Sequence, residues 1–449
     1  MLDGPVGAYL HVPFCERICP FCPYNKVVPR PGEPAEYFEA LTDEAQRYLG
    51  AGAAGPAGFT SLYVGGGTPT LYPQHLADLV ARLPVAGERA IEVLPTHGTA
   101  ERLAELRDIG FTAVSIGAQS FHPEVLRRLR RPHDAEQARS AVAEAVGRFP
   151  LVDVDLIVDV ELDDELGGAF LADLAACMAM GADQVSTYPL MRFGYTPFGR
   201  ARHDQAREHA VLREATQIAH ARGFERRSVW TFNRRGSPTY TSITRRRFLG
   251  MGAGASSYLG RDFLVNHFGL GTYIADVRAG CLPVARWLRL AEPAGMAYDA
   301  FWQAYAGRID RRGLAAGHGP WSCAVGALAV PLRAAGWLQR ADGAYLLTPR
   351  GFDHYHDLER WVTYQLIEPL WAESLAEHAA EGRAATWARL DRGRRGRLWR
   401  LAAGAMGRPT SGQRPSGPHP TERPASRQHP SGHPPAEQHA PHPDLTLRG

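Results

Sequence analysis

The chain has 449 residues, 45% hydrophobic and 22% charged, with a formal net charge of +3. That length accommodates two or three domains around a large core, and the near balance of charge speaks against a dedicated nucleic-acid binder. No apolar run reaches the roughly eighteen residues of a membrane span. The start MLDGPVGAYL has no charged region, apolar run or cleavage site of a secretory signal, so a cytoplasmic protein with reduced thiols is expected.

Residues 7–190 alternate short β-branched runs with longer helical stretches, the pattern of a parallel α/β sheet. Strands are predicted at 8–12, 61–64, 90–94, 113–117, 152–158 and 184–188, with helices at 34–49, 73–83, 100–108, 134–148 and 165–180. Six such units make an open or partial barrel. In parallel folds the functional groups gather at the C-terminal strand ends, and the polar motifs of this chain obey that rule.

The first strand opens into YLHVPFCERICPFCPYNK, residues 9–26, with Cys15, Cys19 and Cys22 close together. Thiolates at that spacing can wrap one iron-sulfur cube, each on a different iron, leaving the fourth iron open to a ligand. Zinc and a disulfide with a spare thiol are the alternatives. Structural zinc wants a fourth ligand, and the nearest candidate, His11, lies at a strand end behind Pro13.

The spacing of the three cysteines, with Phe21 before the last, resembles the radical S-adenosylmethionine (SAM) superfamily. HVPFC, YVGGGTPT at 63–70 and SIGAQSF at 115–121 narrow the resemblance to the oxygen-independent coproporphyrinogen III oxidase family. That family also holds haem chaperones and class C radical SAM methylases. The resemblance covers about residues 7–270 and implies a partial (β/α)6 TIM-like barrel. It implies a 4Fe-4S cluster on Cys15, Cys19 and Cys22, and SAM cleaved to a 5'-deoxyadenosyl radical. SAM contacts are expected from Tyr9, Phe21, Gly66, Gly67, Thr68, Glu92, Gln119, Arg131, Asp155 and Pro189. Phe21 is expected near the adenine, the glycine loop and Glu92 at the amino-acid end. Asp153 and Asp159 compete with Asp155, and Arg131 sits beside Arg127, Arg128 and Arg130, which read as a solvated face. An electron donor such as flavodoxin or ferredoxin is an expected partner.

Two departures shape the functional expectation. Pro23 stands where the oxidases place a fourth cysteine, and residues 158–161 read Val-Asp-Val-Glu instead of Tyr-Gly-Leu-Pro. Together with STYPLMRFGYTPFGR at 186–200 they point to a class C methyl or one-carbon transferase, using one or two SAM molecules on a tetrapyrrole or another small ring. The alternatives are the oxidase and the haem chaperone. Seven arginines from Arg226 to Arg247 either contact an anionic substrate or form a solvated face, the latter preferred. GMGAGAS at 250–256 has the look of the family's glycine-rich closing element.

The expected division is a radical SAM core at 1–280, a winged-helix-like accessory domain at 281–375, a basic helical segment at 376–406 and a tail at 407–449. The tail is Pro-, His-, Ser- and Arg-rich, without aromatics, and is expected to be disordered. Cys177, Cys281 and Cys323 are isolated and read as small buried hydrophobes.

Overall fold

The six predicted strands stand in sequence order in the computed structural model, which describes residues 5–159, 164–199, 204–238 and 247–381. They are β1 (Gly7–Val12), β2 (Leu62–Gly66), β3 (Arg89–Val93), β4 (Ala113–Gln119), β5 (Leu151–Val158) and β6 (Gln184–Pro189). Every neighbouring pair is parallel. Helices Glu33–Gly50, Pro73–Arg82, Ala100–Ile109, Ala135–Ala145 and Ala169–Met180 return the chain between them. On β4 and β5 the apolar residues fall on one face of the sheet, and small or polar residues such as Ser115, Asp153 and Asp155 on the other. Val114, Ile116, Val152, Val154 and Leu156 are all fully enclosed.

Local chemistry sets the helix bounds. Asp134 and Gln137 form a capping box that starts Ala135–Ala145. The helix predicted from 165 is registered only from Ala169, because Gly167 and Gly168 take φ of 66° and 87° and interrupt it.

The sheet extends well beyond six strands. β7 (Phe224–Arg226) and β8 (Thr231–Arg234) continue it antiparallel past β6. On the other side β9 (Phe248–Met251) lies parallel to β1, followed by antiparallel β10 (Ser256–Leu259), β11 (Asp262–Asn266) and β12 (Val284–Arg289). The twelve strands run β12-β11-β10-β9-β1-β2-β3-β4-β5-β6-β8-β7, an open sheet. β12 belongs to this sheet although it lies past residue 280.

A second, three-stranded sheet follows, β13 (Arg308–Asp310), β14 (Leu338–Ala341) and β15 (Ala344–Leu347) in the order β13-β15-β14. A hairpin follows a helix in this unit: β14 and β15 come after helix Cys323–Ala334. Asp342 and Gly343 supply the positive φ of a two-residue turn. Helices Glu292–Tyr305 and Pro349–Val362 pack this unit on Trp230 and Leu212 of the barrel, sharing Tyr305, Phe352 and Tyr355. Of the isolated cysteines Cys177 is buried, but Cys281 and Cys323 are exposed, contrary to expectation. No described helix is long and apolar enough to cross a membrane. Of the expected basic helical segment at 376–406 only the start is described, as the end of helix Glu368–Ala380; 382–406 and the tail from 407 lie outside the described residues.

Candidate functional site

The C-terminal ends of β1 to β6 open into one cavity of about 1480 Å³. Cys15, Cys19 and Cys22 line it, as do all the expected SAM contacts: Tyr9, Phe21, Gly66, Gly67, Thr68, Glu92, Gln119, Arg131, Asp155 and Pro189. Parallel strands make this convergence possible, since each loop leaves the same edge of the sheet.

At the cysteine end the thiols are free and half-buried. Two donors point at their sulfurs: Thr68 Oγ1 to Cys15 at 3.7 Å and Arg131 Nη1 to Cys19 at 3.3 Å. Lys26 Nζ donates to the Cys22 carbonyl at 2.5 Å, placing an ammonium beside the third thiol. Burial, with the neighbouring thiols, pushes Cys15 up to about 12, and burial raises Cys22 as well. Bare thiolates are thus disfavoured where metal-bound ones would be stabilised by the donors. No three His, Cys, Asp or Glu among the described residues converge on a single ion.

The glycine run is demanded first by its protein neighbours. A Cβ on Gly65 would meet Glu92 Oε1 at 2.5 Å, one on Gly66 the His11 ring at 2.6 Å, and one on Gly67 the Phe14 carbonyl at 2.5 Å. Gly66 has φ of 117° and donates its N–H to Glu92 Oε2 at 3.0 Å. Tyr63 donates to the other oxygen of Glu92 at 2.5 Å. Burial nevertheless pushes Glu92 up to about 7, so a cation brought to it would be stabilised. Tyr9 stacks on Tyr63 with centroids 5.8 Å apart, and its hydroxyl meets His11 Nδ1 at 2.8 Å. His11 Nε2 is held by the Asn25 carbonyl at 2.8 Å, and burial lowers His11 to about 4, leaving it neutral.

On the opposite strands the three competing aspartates separate. Asp155 faces the cavity and accepts from Ser115 at 2.9 Å. Asp153 is enclosed and held by Ser186 and Gln184, while Asp159 pairs with Arg192 at 3.0 Å. Burial and the charges of Asp153 and Glu92 raise Asp155 well above the carboxylate range. Gln119 adopts φ of 68°, a conformation costly outside glycine, where the β4–β5 register shifts. Arg131 donates to the Gly117 carbonyl at 2.8 Å and lies 6.0 Å from the Phe21 ring centroid. Its Nε is buried without a partner among the described residues. Arg127 and Arg128, both exposed, instead pair with half-buried Glu124, as a solvated face does.

Several features escaped the sequence. Of the described arginines between 226 and 247, none lines the cavity. Arg226 is enclosed beside Asp353 at 3.7 Å, and Arg227 and Arg235 pair with Glu225. Neither a substrate clamp nor, for Arg226, a solvated face is what the fold makes of them. In the departing loop Val158 and Asp159 are described, and 160–163 lie outside. Gly252 packs on Tyr37 and His11, and Gly254 on Asn25. Beneath them the buried Glu44 accepts from Tyr273 at 2.6 Å, Asn266 at 2.8 Å and the Gly252 N–H at 2.8 Å. The far wall of the cavity comes from the C-terminal elements: Trp287, Tyr298, Phe301, Trp302, Glu359 and residues 363–373. Only the aromatic content of these segments was visible beforehand.

Residues 9–170 match the Radical SAM superfamily. The chain is 32% identical over 319 residues to the "Heme chaperone HemW" of Mycobacterium tuberculosis, covering 66% of this chain and 80% of that protein. It is 31% identical over 299 residues to "Radical S-adenosyl methionine domain-containing protein 1, mitochondrial" of Bos taurus, covering 63% of this chain and 65% of that protein, just under two thirds of its length. Among solved structures it resembles the coproporphyrinogen III oxidase HemN of Escherichia coli, with a TM-score of 0.64 and 22% identity over 80% of this chain and 90% of the other. At that identity the likeness establishes the fold.

Proposed function

Since the chain belongs to the radical SAM superfamily, in its oxygen-independent coproporphyrinogen III oxidase-like family, we propose that it cleaves SAM in order to act on a tetrapyrrole. The observation that carries the proposal is the cavity itself. Its 1480 Å³ exceeds the roughly 300–1,000 Å³ of an ordinary small-ligand site. Cluster and SAM ligands crowd one end, leaving an aromatic half for a second, larger ligand.

Cys15, Cys19 and Cys22 would hold a 4Fe-4S cluster, which when bound supplies the electron that breaks a carbon-sulfur bond of SAM. Glu92, buried and short of a cation, takes the SAM ammonium, and the Gly66–Gly67 backbone allows the close approach. The guanidinium of Arg131 meets the carboxylate and also donates to Cys19. Gln119 and Asp155 serve the ribose, Phe21 the adenine, and Tyr9 with Pro189 closes the pocket. Thr68 and Lys26 stabilise negative charge on the cysteine sulfurs. The aromatic walls exclude water, which would otherwise compete as a hydrogen donor. A flavodoxin- or ferredoxin-type protein is the proposed reductant, and the cytoplasm the proposed compartment.

A haem-chaperone role is the second reading. It is favoured by Pro23 in place of a fourth cysteine and by the similarity to the mycobacterial chaperone across 80% of that protein. Methyl transfer with two SAM molecules, expected from residues 158–161 and 186–200, gives way to the oxidase and chaperone readings, because the mycobacterial relative covered over 80% of its length is a haem chaperone. The deciding experiment is anaerobic turnover with SAM and coproporphyrinogen III. Formation of 5'-deoxyadenosine coupled to loss of substrate supports the enzyme. Tight stoichiometric haem binding with no SAM cleavage on any tetrapyrrole defeats it in favour of the chaperone.

A further inference from the structure

The aromatic half of the cavity contains an acid that the SAM chemistry does not use. Trp230, Tyr188, Phe301, Trp302 and Tyr305 wall it, and helix Pro349–Val362 adds Glu359 among them. Glu359 Oε2 accepts from the Trp230 indole N–H at 2.6 Å, and its other oxygen has no partner among the described residues. The neighbouring Arg360 is spent elsewhere, paired with Glu208. Burial and the Glu208 charge push Glu359 up to about 8, as befits an acid with one donor and no cation. The helix then widens into a π-turn, Thr363–Ile367, every residue of which lines the cavity. Such turns recur at functional sites.

An acid in an aromatic wall costs stability unless a ligand satisfies it. A reduced tetrapyrrole is puckered and carries four pyrrole N–H groups that can converge on one acceptor, whereas a metal-filled ring offers none. The protein side agrees, since His11 is the one histidine among the described cavity residues, and Tyr9 and Asn25 engage both its ring nitrogens. No imidazole is left for a haem iron. We infer that Glu359 is the acceptor that seats the substrate ring through its N–H groups, so that the site selects a porphyrinogen over a metallated tetrapyrrole. The inference rests on the tetrapyrrole reading above. Trp230 is its positioning residue, fixing one carboxylate oxygen and turning the other into the cavity.

The test uses full-length protein with its cluster reconstituted, titrated anaerobically with coproporphyrinogen III and with zinc coproporphyrin III. Binding is followed by quenching of tryptophan fluorescence. Wild type should bind the porphyrinogen at least about ten-fold tighter than the zinc ring, the worth of about one hydrogen bond. Glu359→Leu should remove that preference, and Glu359→Gln, which keeps an acceptor but adds a donor, should reduce it. Iron content and SAM binding of each variant report folding, and if the Leu protein fails to fold the Gln protein carries the comparison. A preference unchanged in the variants, or a wild type that binds both rings equally or favours the zinc ring, overturns this inference and leaves the tetrapyrrole reading standing. A wild type that binds neither ring overturns both.

Discussion

Gly66→Ala isolates the geometry of the glycine loop. The residue sits at φ of 117°, where an alanine is strained by about 1–3 kcal/mol. Its new methyl would lie 2.6 Å from His11 Cε1 and 2.7 Å from Nδ1. That ring cannot swing away freely, because Tyr9 and Asn25 hold both nitrogens at 2.8 Å. Displacing it forfeits hydrogen bonds of about 1 kcal/mol each, so the total is about 3 to 5 kcal/mol. If the loop stays, the cost appears as lost stability. If it moves, the Gly66 N–H leaves Glu92 and the SAM end is deformed, and 3 kcal/mol is about 150-fold in affinity. Thermal unfolding and SAM binding to the reconstituted protein should therefore be measured together. Gly147→Ala is the control, since Gly147 has φ of 78° but nothing within 4 Å of a Cβ. It carries strain without collision and should leave SAM affinity alone. Should Gly66→Ala match Gly147→Ala in both measurements, the steric reasoning is wrong.

Replacing Cys15, Cys19 or Cys22 by Ala should abolish the visible absorption and iron content of a reconstituted cluster, while Cys177→Ala, Cys281→Ala and Cys323→Ala retain it; any exchange of these outcomes refutes the ligand set. Arg131→Leu should weaken SAM binding about ten-fold and lower the cluster midpoint potential by removing the charged donor to Cys19, both readable by equilibrium binding and redox-poised EPR. Glu44→Ala strands three buried donors and should cost about 3–6 kcal/mol in denaturant unfolding, with Glu44→Gln milder. Burial pushes Glu44 up to about 7, above its unfolded value, so its contribution is full at low pH and lost as pH rises through that value. The stability of wild type relative to Glu44→Gln should accordingly decline between pH 5 and 8, and a rise would contradict the assignment.

The order of the six parallel strands, the cysteine spacing and the glycine run were legible because each is written in contiguous residues. Apolar runs of β-branched residues announce buried strands, and three thiols within eight positions announce a shared ligand. Asp155 was not separable from Asp153 and Asp159 in sequence, since all lie on or beside one strand. Asp153 and Asp155 share one face of the pleat, so height along the strand and the loop that follows decided which reaches the cavity. Arg226 looked like its neighbours until the accessory unit brought Asp353 to it from 127 positions along the chain. β9 beside β1, the aromatic far wall and Glu359 against Trp230 were likewise invisible, because they join segments more than 100 residues apart. Local patterns record what a residue's immediate neighbours require. Which polar groups end up in a cavity, and which are neutralised on the way, is decided by long-range packing that leaves no short-range periodicity to read.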